Sequence, residues 1–331
     1  MKVYVLHENP DWYPPFAAAF DAAGVEHEQW LLGEGCLDLG EEPPAGVFWS
    51  RMSASSHTRG HLLAKDHARA VFSWLESWGR RVVNGRRVLE LEMSKADQLT
   101  ALRAAGIEVP RTVAVVGRDG LLDAAGKVPA PFIVKHNQGG KGLGVRRFDS
   151  VAALELYLES EQYEPPVDGI TLVQEYVPAA EPFITRVEVV GGEFVYAITA
   201  DTARGGFELC PADACAVDAA FCPADGIQAS AQLASASDAA PTAEPASLFA
   251  LREDLGPDHP IVGRYLEFAR RQGLEVAGFE FIETADGRQV TYDVNTNTNY
   301  NPQVEAVAPR SGPGSVARYL KGLLAREEGG R

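Results

Sequence analysis

Sulfur is scarce in this chain: of 331 residues three are Met and four are Cys. The thiols, Cys36, Cys210, Cys215 and Cys222, show no CxxC spacing. That favours free thiols in a reducing cytoplasm over a disulfide framework. The last three could share a metal, but no histidine lies near them and three thiols leave such a site open. Long apolar runs are also missing. None approaches the ~18 residues of a membrane span, and no extended apolar stretch follows the short strand at the N-terminus as it would in a signal peptide. Positive charge is short too, with 30 Lys/Arg against 46 Asp/Glu and a net charge of −16. A surface of that sign repels phosphate backbones, so neither nucleic acid nor an anionic membrane is an expected partner.

What is present is ordinary globular material, 46% hydrophobic and 23% charged, in a chain longer than one simple core usually takes. Its basic charge is uneven. Residues 94–147 hold nine Lys/Arg against four Asp/Glu, which is either a local anion site or a chance cluster of solvated charges.

Strands alternate with helices over residues 1–92. KVYVLH at 2–7, a segment at 25–32, GVFWS at 46–50 and 81–83 read as strands, and 14–23 and 61–78 as helices. This predicts an α/β unit with a mainly parallel sheet. Ser94-Lys95-Ala96-Asp97 resembles a capping box with Asp in place of Glu and opens a helix that Gly106 ends. Strands follow at 112–116 and 131–136, flanking a short helix. Another helix is expected near 151–158 and a strand at 170–176, then a hairpin, 185–190 with 193–200, around Gly191-Gly192. Residues 212–247 are rich in Ala, Ser, Asp and Pro and read as a long mobile insertion. A helix near 261–272, strands at 276–282 and 289–294, and an amphipathic helix at 315–324 complete the chain.

Three features carry chemistry. The loop Gly139-Gly140-Lys141-Gly142-Leu143-Gly144 can turn backbone N–H groups toward phosphate, although such a run also occurs in plain hairpins, and it is neither a Walker A loop nor a dinucleotide fingerprint. Lys135 ends an otherwise apolar strand, where a buried lysine needs an anion and an unburied one reaches solvent. Lys95 stands in a first helical turn, where the dipole disfavours a cation unless an anion is bound there. Finally, GFEFIE at 278–283 and YDVNTN at 292–297 place single acids among apolar neighbours. Alternation sets Asp293 and Asn295 on one side of a strand, and a hairpin through Asp286-Gly287 would bring Glu280 across from them. Two carboxylates and an amide oxygen form a hard, all-oxygen set suited to Mg²⁺ on nucleotide phosphates. The competing reading is an Asn-rich turn with surface acids.

These motifs, in this order, resemble the ATP-grasp ligases, most closely their RimK-like amino-acid ligase branch, which includes glutamate ligases. The resemblance runs from about residue 83 to 307. PFIVKHNQGGKGLGV at 131–145 looks like the second ATP-binding lysine with its phosphate loop, LVQEYV at 172–177 like the adenine hinge, and GFEFIE with YDVNTN like the metal-binding strands. The implied fold is α/β (α+β): an N-terminal parallel-sheet pre-ATP-grasp domain at 1–92, a central lobe with the phosphate loop at 93–170, and a C-terminal lobe at 171–331 with the metal site. The resemblance assigns Lys95 and Lys135 to the α- and β-phosphates, and Gly139, Gly140, Gly142 and Gly144 to closure over them. It assigns Gln174, Glu175, Tyr176 and Val177 to adenine, Glu181 to ribose, and Glu280, Asp293 and Asn295 to Mg²⁺, with Mn²⁺ as the alternative ion. Arg186, twelve positions after Gln174, would stabilise an acyl phosphate, and Arg204 looks similar to the arginine facing the transferred phosphoryl group.

The implied activity is ATP-dependent joining of a carboxylate to an amine, on an amino-acid-like or peptide substrate, in a monomer or homo-oligomer. The rivals are a phosphotransferase or synthase on the same fold, and a nucleotide-binding regulatory protein. The sequence departs from the family at Ile184, where an acid is usual, and at Glu280, where close relatives often have Asp. ELCPADAC at 208–215 and the insertion after it match no assigned function, and with the loop at Lys141 the insertion is a candidate lid. FWSRMSASSHTRGH at 48–61 offers Arg51, His57 and Arg59 as carboxylate binders or as a solvated loop.

Overall fold

Burial in the first strands follows the period-2 alternation of their side chains. Val3 and Val5 on β1 (Lys2–His7) and Val47 and Trp49 on β3 (Gly46–Ser50) join one core, while Tyr4, Leu6 and Phe48 join another on the opposite face. Strands apolar on both faces belong inside a parallel sheet covered on both sides. The computed structural model has that arrangement, with β2 (His27–Leu31), β1, β3 and β4 (Arg81–Val83) side by side and parallel. It describes residues 1–140, 142, 144–205 and 247–329, without the side chain of Arg204. Cys210, Cys215, Cys222, Lys141 and all but the last residue of the 212–247 segment lie outside the described residues.

One face of the parallel sheet is covered by α1 (Pro14–Ala23) and the other by α2 (Ala64–Ser77). The chain then forms α3 (Arg86–Met93) and α4 (Lys95–Ala104). Only Ser94 separates them, as the N-cap of α4, its hydroxyl accepting from the Asp97 N–H at 3.2 Å. The reciprocal half of the capping box is absent, because Asp97 turns to Arg87 at 2.6 Å. Ser94→Ala is expected to destabilise the protein by about 1 kcal/mol, read from the midpoint of urea unfolding.

A second sheet holds β5 (Thr112–Val116), β8 (Ile170–Glu175), β6 (Phe132–His136) and β7 (Arg146–Phe148), in that order and antiparallel. Helices α5 (Leu121–Ala125) and α6 (Val151–Glu159) cover one face, with Phe132, Val134, Leu154 and Leu158 in its core. The third sheet is antiparallel, ordered β11 (Phe249–Leu251), β10 (Glu193–Asp201), β9 (Phe183–Val190), β12 (Val276–Glu283) and β13 (Gln289–Asn295). The short helix α7 (Thr202–Gly205) follows β10. Helix α8 (Pro260–Gln272) packs Tyr265 on Phe279, ring centroids 4.4 Å apart, on one face of this sheet.

After α9 (Pro302–Glu305), the last helix, α10 (Gly312–Gly329), returns to the first sheet. There Val316, Ala317 and Leu320 share a core with Phe16, Phe20 and Trp49. Asn84, in the left-handed region at φ 52°, ties the end of β4 to the third sheet. Its amide donates to the Val276 and Thr296 carbonyls at 2.8 and 3.2 Å and accepts from the N–H groups of Glu275 and Val276.

Candidate active site

The second and third sheets turn their polar faces toward each other, and alternation selects which side chains arrive. On β6, Phe132 and Val134 point into the core, leaving Ile133 and Lys135 to the cleft; on β9 and β12, Val187, Phe279 and Phe281 are core, leaving Arg186 and Glu280. The resulting cleft is about 450 Å³. Its third wall comes from the residues before α4, through Trp12, Ser53, Ser55 and Glu92.

One part is an apolar slot of Ile133, Ile184, Ile282 and Val290, bounded by Glu175 at the end of β8 and by Tyr176 and Val177 after it. The Glu175 N–H is taken by the Arg111 carbonyl at 2.9 Å. Among the described residues no protein acceptor takes the Val177 N–H. A flat heterocycle with an acceptor at its edge fits between those apolar faces. Gln174 also lines the slot, its amide donating to the Thr112 hydroxyl at 2.8 Å. Glu181 is exposed and outside the cleft lining.

In the middle of the cleft the two lysines meet two acids. The α4 N-terminus is held by Asn137 at the base of the glycine loop: its side-chain oxygen accepts from the Ala96 N–H at 2.8 Å and its carbonyl from the Lys95 N–H at 3.2 Å. Lys95 reaches Asp293 at 2.5 Å. Lys135 is 5% exposed; burial first, and then the Lys95 charge, push its ammonium down to about 7. Two lysines facing the same space, one with its charge suppressed, are what an anion site looks like before the anion arrives. Gly139, Gly140 and Gly142 line the same region. Gly142 and Gly144 have φ near 70°, and Gly144 lies on the His136 ring, where a Cβ would come within 2.8 Å.

The hairpin of β12 and β13 turns near Asp286-Gly287, and Glu280 stands directly across from Asp293, with Asn295 opposite Gly278. Arg186 is 5% exposed; it donates to Glu280 at 3.0 Å, to Glu188 at 2.6 Å and to Thr298 Oγ1 at 2.7 Å. Tyr292 and Asn295 donate to the two Glu280 oxygens at 2.8 and 2.9 Å. Burial raises Glu280, with Arg186 opposing and Asp293 adding to the rise. Burial acts the same way on Asp293, but Lys95 and Lys135 outweigh it and hold that carboxyl below its ordinary value. Among the described residues no group of three or more His, Cys, Asp or Glu is placed to hold a metal. The donors here are instead two carboxylates and amide oxygens, all hard. Asn297 Oδ1, two positions beyond Asn295 on the same side of the chain, is buried without a hydrogen-bond partner. This donor set fits Mg²⁺.

The sequence did not single out Glu92, Glu188, Tyr292 or Thr298. Glu92 lies in the last turn of α3 and accepts from the Thr296 N–H and hydroxyl and from the Ala54 N–H. Glu188 carried a signal in the sequence, standing two residues from Arg186 on the same side of β9.

Two sheets thus face each other across paired lysines, a glycine loop and an acidic hairpin. The model of the RimK-like ATP-grasp domain matches residues 93–210. It is 32% identical over 130 residues to the alpha-aminoadipate–LysW ligase LysX of Sulfolobus acidocaldarius, covering 38% of this chain and 47% of that protein. The chain thus spans about half the length of the curated relatives it matches. Over the whole fold it superposes on a RimK domain ATP-grasp protein from Sphaerobacter thermophilus with a TM-score of 0.64 at 17% identity, covering 96% of this chain and 99% of that one. The ATP-grasp ligase PsnB, solved with minimal precursor, Mg and ADP, gives a TM-score of 0.61 at 17% identity and covers 97% and 96%. Among the described residues no helix is long and apolar enough to cross a membrane.

Proposed function

We propose that the protein is an ATP-dependent carboxylate–amine ligase acting on an amino-acid-like or peptide substrate through an acyl phosphate. The observation that carries this reading is the cleft itself. An apolar slot, two convergent lysines, an all-oxygen donor set and a polar wall of Trp12, Ser53, Ser55, Glu92, Asn297 and Asn299 line one cleft. ATP fits the first three with its γ-phosphate pointing toward the fourth. The ligase names of LysX and PsnB support the same reading.

Glu280, Asp293 and Asn295 would hold Mg²⁺, which when bound offsets phosphate charge. Lys95 would exchange its Asp293 contact for phosphate oxygens, and Lys135 would be fully charged once an anion faces it. Arg186, fixed by two carboxylates, would face charge developing on the acyl group. The substrate carboxylate attacks the γ-phosphorus, the bond to ADP breaks, and the acyl phosphate forms. An amine then attacks the carbonyl, phosphate leaves with the electron pair of its C–O bond, and the amine gives up a proton. No protein nucleophile is required; positioning and charge supply the rate. Gly144 enters this scheme only through the shape of the loop, and Glu181, outside the cleft lining, has no part in it.

The test is hydroxylamine trapping over a panel of the twenty L-amino acids and their dipeptides. ATP- and acid-dependent hydroxamate with stoichiometric ADP is expected. A phosphorylated product without hydroxamate would instead identify a phosphotransferase.

A further inference from the structure

Trp12, Ser53, Ser55, Glu92, Asn297 and Asn299 line the same cleft and form the wall of its polar chamber. The arginines that the sequence offered as carboxylate binders do not line it. Both lie behind the wall. Arg51 is 2% exposed and donates to the Trp12 carbonyl at 2.9 Å, to the Thr298 carbonyl at 3.1 Å and to Asn299 Oδ1 at 2.8 Å. A guanidinium has only donors, so the Asn299 amide must turn its oxygen to Arg51 and its NH₂ away. Among the described residues no acceptor takes that NH₂.

Arg59 grips Glu8 through two bonds, at 3.1 and 2.6 Å, and with its remaining nitrogen donates to Ser55 Oγ at 3.0 Å. Ser55 Oγ and Ser53 Oγ are 2.9 Å apart, and Ser53 Oγ also accepts from the Ser55 N–H at 3.2 Å. Two hydroxyls carry two hydrogens, and one serves the bond between them. The other has no acceptor among the described residues, whichever way the pair is oriented. Trp12 spans the two sets, its carbonyl on Arg51 and its ring 4.6 Å from the Arg59 guanidinium. Ser55 also abuts the glycine loop: a Cβ built on Gly140 would lie 3.4 Å from Ser55 Cβ. Uncommitted donors therefore collect beside the glycine loop, and the carboxylate in this wall, Glu92, is already taken by the Ala54 N–H and by the Thr296 N–H and hydroxyl.

We propose that the Ser53–Ser55 hydroxyl pair and the Asn299 amide form the subsite for the carboxylate that becomes phosphorylated, with Arg51 and Arg59 as positioning residues behind them. This rests on the ligase reading and names the part of the site that takes the acid. Neutral donors hold a carboxylate by hydrogen bonds without an ion pair, leaving it nucleophilic toward phosphorus. Donation from Arg59 into Ser55 Oγ strengthens the outward O–H as a donor. His57 has no part in this: its ring bonds the Ala54 carbonyl at 3.1 Å.

The test uses the full chain and whichever acid of the hydroxamate panel gives product. The Ser53→Ala/Ser55→Ala double variant should raise the KM for that acid at least tenfold, while the Kd for Mg–AMPPNP by calorimetry moves less than twofold. Asn299→Asp keeps an oxygen toward Arg51, and with it the fold, but turns a carboxylate oxygen into the chamber; the same split is expected, at least as large. Arg59→Lys keeps a cation on Glu8 and loses the bond to Ser55, and should raise the acid KM with kcat unchanged. Acid KM values within twofold of wild type in the serine and Asn299 variants overturn the assignment alone. So does a Kd for Mg–AMPPNP that weakens in parallel, which would give these donors to the nucleotide. Absence of hydroxamate from the wild type with every acid of the panel overturns the ligase reading and this assignment together.

Discussion

Replacing Lys135 by methionine is expected to weaken Mg–ATP binding about a hundredfold while leaving the ligand-free protein at least as stable as before. The first effect follows from removing a buried charge that meets phosphate, a loss on the order of 3 kcal/mol. The second follows from the ligand-free environment, where burial and the neighbouring Lys95 charge already disfavour the ammonium, so an apolar side chain of similar length removes a repulsion. Calorimetry and thermal unfolding read the two quantities separately. Equal affinity in the variant, or a lower melting temperature, would contradict the role assigned to this lysine.

The same residue sets a pH dependence. In the free protein Lys135 titrates at about 7, and facing phosphate raises that value, because an opposite charge favours the ammonium. Its contribution to affinity is therefore complete below about pH 7 and declines as pH rises above it, toward the higher value of the complex. Binding above pH 7 should take up a proton, visible as a dependence of the calorimetric heat on the ionisation enthalpy of the buffer. Lys135→Met should remove that uptake.

Arg186→Leu is expected to destabilise the fold by about 4 kcal/mol and to lower turnover roughly a hundredfold or more. Arg186 is the partner of two buried carboxylates, Glu188 and Glu280, so its loss leaves both without their counter-charge. Burial raises both acids and Arg186 opposes that rise; without it their folded values climb further above the ordinary 4.5. The folded variant then holds more protons than the unfolded chain, and its stability falls as pH rises above about 4.5. Urea unfolding at pH 5 and pH 8 should show the larger loss at pH 8. Adding Glu188→Gln should recover part of the stability without restoring turnover. A loss independent of pH would mean that packing, and not charge, is what Arg186 supplies.

Where local chemistry decides, the sequence was readable. Period-2 runs gave β1, β3, β12 and β13 close to their observed bounds, and Asp286-Gly287 gave the hairpin that sets Glu280 across from Asp293. Helix α3 escaped notice. It follows the Asn84-Gly85 turn directly, has no side-chain N-cap, and is apolar on more than one side because α2, α4 and the third sheet all surround it. Glu92 was missed with it. The return of α10 to the first sheet was equally unsignalled, since an amphipathic helix shows which face it buries but not against what.

The sequence by itself determined most of the strands and helices, the glycine loop, and the residues presented by β6, β9, β12 and β13, because alternation and turn formation act between near neighbours. Only the tertiary structure decided what the long polar side chains of the N-terminal domain do. Arg51 finds its partners at Thr298 and Asn299, 247 and 248 residues away. It is thereby drawn behind the chamber wall, leaving the small hydroxyls of Ser53 and Ser55 at its surface. A guanidinium goes where enough acceptors surround it, and those acceptors come together only when the chain has closed on itself.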